Sequence, residues 1–246
     1  MRTYKIDGVI LRTNNFGNAD KVVTVFAKDY GKLELNAFGC RSSRSPMAGV
    51  LQQFNHISAE VKCGAKFDTI READVIKFCK NLAADIERIG YASIFFEVVN
   101  RMTLPKMPEP GVYELLLKIL PALDEKNARI AALIGICQFM EFTGMQLSYS
   151  YCANCGAKIE GDAAFSVAEG GAICLECVDE VAGISPYPEN LRRAFEKMLA
   201  FDWQAESRLT LTLEEINASE KILWRHVQAI LGRELNSVKF LRDILR

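Results

Sequence analysis

The sequence predicts an α+β, multidomain chain: a small five-stranded β-barrel, followed by an all-α helical domain into which a four-cysteine module is inserted. Three observations carry this reading. Hydropathy alternates with period two over residues 1–80, the period lengthens to 3.6 from Asn81 onward, and two C-x₂-C pairs interrupt the helical part. The expected boundaries are 1–80 for the barrel and 81–246 for the helical domain, with the module at 149–183.

Five runs in the first eighty residues are rich in Val, Ile, Thr, Phe and Leu: Tyr4–Thr13, Lys21–Ala27, Lys32–Phe38, His56–Lys62 and Phe67–Phe78. Turn signals separate them, among them Asn14-Asn15-Phe16-Gly17-Asn18, Asp29-Tyr30-Gly31 and Lys62-Cys63-Gly64. No helical stretch is long enough for a parallel crossover, so the strands must pair largely antiparallel. A five-stranded OB-fold is the economical closure.

From Asn81 the apolar residues fall on helical stripes. Leu82, Ile86, Ile89, Phe96 and Val99 predict one helix ending before Leu104-Pro105. Pro110 opens a second, in the first-turn position that suits its missing N–H. Ala128–Phe142 is a third, stopped by Gly144. Asn190–Phe201 and Leu213–Leu231 follow, and Ser237 is expected to cap a short helix over Val238–Leu245.

The cysteine pairs are Cys152-Ala-Asn-Cys155 and Cys174-Leu-Glu-Cys177, with eighteen residues between the inner cysteines. A two-residue spacer turns both thiolates of a pair inward on one loop, and two such loops close a tetrahedral S₄ site. Cys152, Cys155, Cys174 and Cys177 are therefore the candidate ligands of one structural Zn²⁺. An iron site uses the same spacing, so the metal stays open between zinc and iron. The stretch from Cys152 to Cys177 is acidic: Lys158 is its one basic residue, against Glu160, Asp162, Glu169 and Glu176. Four thiolates around Zn²⁺ add formal negative charge, which argues against a phosphate backbone as the module's ligand.

The formal net charge of -1 hides an asymmetry. Residues 1–80 carry 13 Lys and Arg against 8 Asp and Glu, whereas the remainder carries 17 against 23. The basic half is the candidate for a polyanion. Its loop Phe38-Gly39-Cys40-Arg41-Ser42-Ser43-Arg44-Ser45-Pro46 sets arginines among serines, a composition suited to phosphate oxygens. Arg12, Lys21, Lys28, Lys32, Arg41 and Arg44 are the candidate DNA-binding residues. Phe16, Tyr30 and Phe38 are candidates to stack on bases, although Phe38 is expected in the core.

Other chemistry finds little footing. There is no phosphate-binding loop of the G-x-x-x-x-G-K-[ST] type, no G-x-G-x-x-G and no G-x-S-x-G. The two histidines, His56 and His226, are read as surface or partly buried residues rather than general bases. Asp7, Asp20 and Asp29 sit at or near predicted turns, where Asp serves local hydrogen bonding. Enzyme activity is not expected. With eight cysteines, no signal-peptide pattern and no apolar run long enough to span a bilayer, the expectation is a cytoplasmic protein. Two further readings stay open: an iron-binding redox or electron-transfer protein, and a protein-binding scaffold with a structural zinc.

The order of the parts resembles the bacterial RecO family of DNA repair and recombination proteins. The resemblance runs through Gly8-Val9-Ile10-Leu11, Ala19-Asp20-Lys21-Val22-Val23-Thr24-Val25-Phe26, Gly31-Lys32, Phe38-Gly39-Cys40-Arg41, Ser45 and Leu51-Gln52-Gln53-Phe54. In the helical half it takes in the cysteine box, Ser185-Pro186 and Asn236-Ser237-Val238-Lys239-Phe240-Leu241. The family's often strongly basic loop carries only Arg41 and Arg44 here. The resemblance implies an N-terminal OB-fold, a helical domain and an inserted zinc module. It also implies a non-enzymatic, nucleoid-associated recombination mediator that binds single- and double-stranded DNA and promotes annealing. With RecR as partner, such a mediator assists RecA loading on strands coated by single-strand-binding protein, whose tail some members also bind.

Overall fold

The computed structural model describes residues 2–42, 44–205 and 209–244. Strands β1 (Thr3–Phe16), β2 (Asp20–Ala27), β3 (Gly31–Ala37), β4 (His56–Lys62) and β5 (Asp68–Lys77) close into a barrel. The order around it is β1-β2-β3-β5-β4, with only β3 and β5 parallel, which is the OB-fold. Each strand falls where the alternation predicts it, and β1 runs on to Phe16.

Strand parity decides what each face meets. Ile10, Val23, Val25, Leu33, Leu35, Ile57 and Val61 point into the barrel and form its core. The β1–β2 register slips between Ile10 and Arg12, leaving Leu11 as an extra residue. Around this bulge Val9, Leu11 and, across on β2, Phe26 face outward and are fully buried in the helical core. One end of the β1–β2–β3 outer face is thus covered by the helical region.

Among the described residues seven α-helices follow: α1 (Lys80–Ala84), α2 (Ile86–Met102), α3 (Pro110–Glu125), α4 (Ala128–Phe142), α5 (Glu189–Leu199), α6 (Leu213–Leu231) and α7 (Asn236–Ile244). The single helix expected from Leu82 to Val99 is two. The Asp85 carboxylate accepts the backbone N–H groups of Glu87 and Arg88 and starts α2 afresh. Leu82 is buried from α1, whereas Ile86 is exposed. Helix α4 is central, buried without a break from Ala131 to Met140. Gly135 makes this possible: a Cβ there would stand 2.1 Å from Ile119 Cδ1 and about 3 Å from the Phe95 ring.

Helix α7 starts one residue before the expected cap, and Leu245 lies outside the described residues. Its N-terminus is held from α2. Glu97 accepts the N–H groups of Asn236 and Ser237 and the Ser237 hydroxyl, while Arg101 pairs with the same carboxylate at 2.6 Å. Ser237 is therefore a buried donor and not a cap.

The cysteine module occupies the connection between α4 and α5. It adds three short strands that composition did not reveal: β6 (Ala163–Ser166), β7 (Gly171–Ile173) and β8 (Ser185–Tyr187), in the order β7-β6-β8. Ile159, Phe165 and Ile173 are buried in the same core as the helices, while Leu175 is exposed. Tyr149 stacks on Phe195 of α5 at 4.2 Å and Phe165 packs on Tyr187 at 4.8 Å, so α5 seals the module. Among the described residues no helix is long and apolar enough to cross a membrane.

Candidate functional site

The four cysteine sulfurs converge. All lie within 4.8 Å of one another, and Cys155 Sγ and Cys174 Sγ are 3.7 Å apart. Sulfurs about 2.3 Å from a tetrahedral zinc stand roughly 3.8 Å apart, so the spacing suits that ion. The loops are shaped to hold it: Cys152 N–H donates to Ala157 O, Gly156 N–H to Cys152 O, and Cys174 N–H to Cys152 Sγ. Burial raises the Cys152 thiol, but N–H groups of Cys174, Cys155 and Asn154 aimed at its sulfur more than reverse this, bringing it to about 6. The Asn154 amide favours the Cys177 thiolate, yet the neighbouring sulfurs push that thiol up to about 12. Four thiols this close cannot all ionise without a cation between them. The donor set thus fits a metal ion, and when bound the ion would cross-link the two loops.

The barrel cations divide into three groups. Arg41 and Arg44 are exposed on the loop after β3. This loop is tied to the β1–β2 hairpin tip: Arg41 N–H donates to Ala19 O at 2.9 Å and Gly39 N–H to Asp20 Oδ1 at 2.7 Å. The Arg41 guanidinium leans over the tip, 3.3 Å from Gly17 O and 3.4 Å from Asn18 O. Arg12 is exposed on the outer face of β1, opposite Thr24. Arg41 thus lies at the hairpin end, whereas Arg12, opposite Thr24, lies midway along β2, four residue steps from Asp20 and four from Lys28.

Lys28 is also exposed, but at the β2–β3 turn, the far end of the same strands. Eight residue steps at about 3.3 Å separate it from Asp20 at the hairpin end, roughly 26 Å. Lys21 and Lys32 have other tasks. Lys21 has inward parity, and its ammonium donates to Leu51 O at 2.8 Å, with burial lowering its pKa. Lys32 faces the helical region and donates to Asn100 O at 2.5 Å and Thr103 O at 2.6 Å, near the end of α2. Both leave the proposed phosphate-binding set, because their charges are used to hold the fold.

A junction that the sequence did not reveal joins β1, β4 and α3. Asp7 Oδ1 accepts from His56 Nε2 and from Tyr113 Oη, each at 2.5 Å. Burial pulls the Asp7 carboxyl upward, but the bonds from Tyr113 and His56 and the charges of His56 and Lys28 outweigh it, and its pKa is lowered. Asp20 is engaged with Gly39 instead, so Asp7 and Asp20 do not form a carboxylate cluster. His226 is half-buried with Nε2–H on Met145 O, and burial lowers its pKa.

Exposure corrects one aromatic. Phe38 is not a core residue: it stands 56% exposed, and Phe16 stands 59% exposed. Tyr30, at the opposite end, is tucked against the Tyr4 ring at 4.9 Å. The signal that could have placed Phe38 is parity, since it follows inward Ala37.

An OB barrel joined to a helical bundle, with four converging cysteines in the connection between α4 and α5, sets the class of fold. Residues 1–79 match the model described as recombination protein O N terminal, and residues 83–239 match recombination protein O C terminal. The chain belongs to the RecO family. Among similar proteins, the DNA repair protein RecO of Symbiobacterium thermophilum is 27% identical over 251 residues, spanning 100% of this chain and 99% of that protein. That of Anaeromyxobacter dehalogenans is 30% identical over 244 residues, 98% of this chain and 96% of its own length. That of Bacillus cytotoxicus is 25% identical, spanning 98% and 97%.

Proposed function

We propose that this RecO-family protein is a non-enzymatic recombination mediator that binds single- and double-stranded DNA through the hairpin end of its barrel. It promotes annealing of complementary strands and, with RecR, assists RecA loading on strands coated by single-strand-binding protein. The observation that supports the reading is the exposed Arg12 on the outer face of an OB barrel and the exposed Arg41 and Arg44 on its β3–β4 loop, free of ion pairs among the described residues. Guanidinium forks on two strands at once would lower the mutual repulsion of their phosphates, which is how annealing proceeds without ATP. In this division of labour residues 1–80 contact DNA and residues 81–246 form the helical domain. The module at 149–183 is a structural clasp holding one Zn²⁺ on Cys152, Cys155, Cys174 and Cys177. A partner's peptide tail would find apolar walls in a groove between α3, α4 and Trp203, with Lys126 at its rim.

The test is a salt titration of DNA binding. Arg41→Ala with Arg44→Ala should weaken binding to any sequence and make log K against log [salt] shallower by roughly 1–2 units. Unchanged affinity and slope would remove the loop from the interface. Metal analysis of the purified protein separates the alternatives at the cysteines: a colourless protein with one zinc excludes an iron redox centre.

A further inference from the structure

The strand register places two exposed phenylalanines side by side on the open part of the barrel. Asp20 pairs with Phe16 of β1, and Lys21 pairs with Ala37 of β3. Phe38, the next residue, is therefore level with Asp20 on the other side. Lys21 and Ala37 point into the barrel, so Phe16, Asp20 and Phe38 share the outward face. Two strand spacings of about 4.8 Å set the two phenylalanine backbones roughly 10 Å apart. The next outward rungs are Asn14–Val22–Asn36 and Arg12–Thr24–Glu34. Beyond them the face disappears under the helical region at Val9 and Phe26.

Both rings are held by short turns and not by a slack loop. Each precedes a glycine in the left-handed region, Gly17 at φ +55° and Gly39 at φ +65°. The Gly39 N–H bond to Asp20 and the Arg41 N–H bond to Ala19 lock the two turns together. Phenylalanine has no polar handle, so two rings kept more than half exposed call for an apolar partner. Their surroundings narrow that partner. Arg41 leans over the hairpin tip beside the rings, the amides of Asn14 and Asn36 form the next outward rung, and Arg12 follows one rung further, level with Glu34. The Asp20 carboxylate between the rings is held by the Gly39 N–H, and the setting suits a polyanion that also offers flat apolar faces.

We propose that Phe16 and Phe38 are stacking platforms for the bases of single-stranded nucleic acid, with the three arginines tracking its phosphates. This rests on the nucleic-acid reading of the barrel and adds to it a preference for single strands. A duplex presents phosphates to the same arginines, but its base faces are covered by neighbouring pairs and cannot reach the rings. Phosphate contacts set the salt slope, and the rings do not.

The experiment compares wild type with Phe16→Ala/Phe38→Ala on a fluorescein-labelled oligothymidylate and on a duplex of equal length. The expected result is at least a fivefold loss on the single strand. Duplex affinity and both salt slopes should stay at wild-type values. Phe16→Leu/Phe38→Leu keeps the apolar bulk without the π-face; it should lose single-strand affinity as the alanine variant does, and it serves as the readout if the alanine variant does not fold. Replacement by Trp should restore single-strand binding. Single-strand affinity retained by either double variant, or equal losses on strand and duplex, would overturn the proposal; retained affinity would assign the rings to a protein partner. A wild-type protein that binds neither DNA would sink the nucleic-acid reading itself, and the stacking proposal with it.

Discussion

Replacing Gly31 by Ala probes the seam between barrel and helices. Gly31 opens β3 at φ +66°, and a Cβ there would lie 2.0 Å from Met107 O and 2.3 Å from Met107 C. Those are backbone atoms and cannot swing aside. Gly39 supplies a matched control, at φ +65° with nothing within 4 Å of its virtual Cβ. Both substitutions force an L-residue into the left-handed region, at about 1–2 kcal/mol. Only Gly31→Ala must also push the segment around Met107 away. That retreat strains the Lys106 N–H bond to Lys32 O and the two bonds from the Lys32 ammonium to Asn100 O and Thr103 O. Losing even part of this set adds roughly 2–4 kcal/mol, because bonds from a charged donor are worth about 1.5–3 kcal/mol each. At about 2–4 °C per kcal/mol for a chain of this size, Gly31→Ala should melt at least about 4 °C below Gly39→Ala. Thermal melts of the two variants, followed side by side by near-UV circular dichroism, measure the gap. Equal melting temperatures would mean that the strand does not approach Met107 closely in solution, and the argument for a rigid seam would fail.

Lys32→Met should lower the melting temperature while leaving DNA affinity and its salt slope unchanged, since its ammonium serves the seam and not the phosphate face; a DNA titration alongside the melt checks both. Cys152→Ser should remove the metal and lower thermal stability before it alters DNA affinity, measurable by metal analysis, melting and binding on one preparation. If that variant stayed fully stable and lost only DNA binding, the clasp reading would be wrong. In the folded state, against the upward pull of burial, the bonds from Tyr113 and His56 hold the Asp7 carboxyl below the usual aspartate value. Its contribution is therefore fully present above that value and is lost as pH falls through the lower folded value. Asp7→Asn should destabilise the protein near neutrality, with the difference from wild type shrinking in melts taken below about pH 4.

The barrel was legible because an OB sheet has one wet and one dry face over much of its length, so period two survives in Val23–Val25 and Leu33–Leu35. The cysteine pairs were legible because ligand spacing is a local constraint. What stayed hidden was set by geometry across the chain. By composition Lys21 and Lys32 are as good phosphate candidates as Arg41, yet one has inward parity and the other faces α2. Phe38 was expected inside, and its parity with Asp20 places it outside. The break at Asp85 interrupts a stripe that continues through it in hydropathy, because a single carboxylate capping two N–H groups outweighs periodicity. Strands of three or four residues, such as β7 and β6, are too short to show any period. The Asp7–His56–Tyr113 cluster joins residues 49 and 106 positions apart, a separation no local pattern records.

The grip of Glu97 on the start of α7 imposes an order on how the molecule comes together during synthesis. Glu97 and Ser237 are 140 residues apart. At about 5–20 residues per second, the helix that satisfies Glu97 is made roughly 7–28 s after it. Through that interval α2 carries an exposed surface where Gly90 will receive Leu241 and a carboxylate whose partner on its own helix is Arg101. The five barrel strands, complete by Lys77, are made before any of this, so the nascent chain presents all the strands of its barrel while its helical end still waits to close.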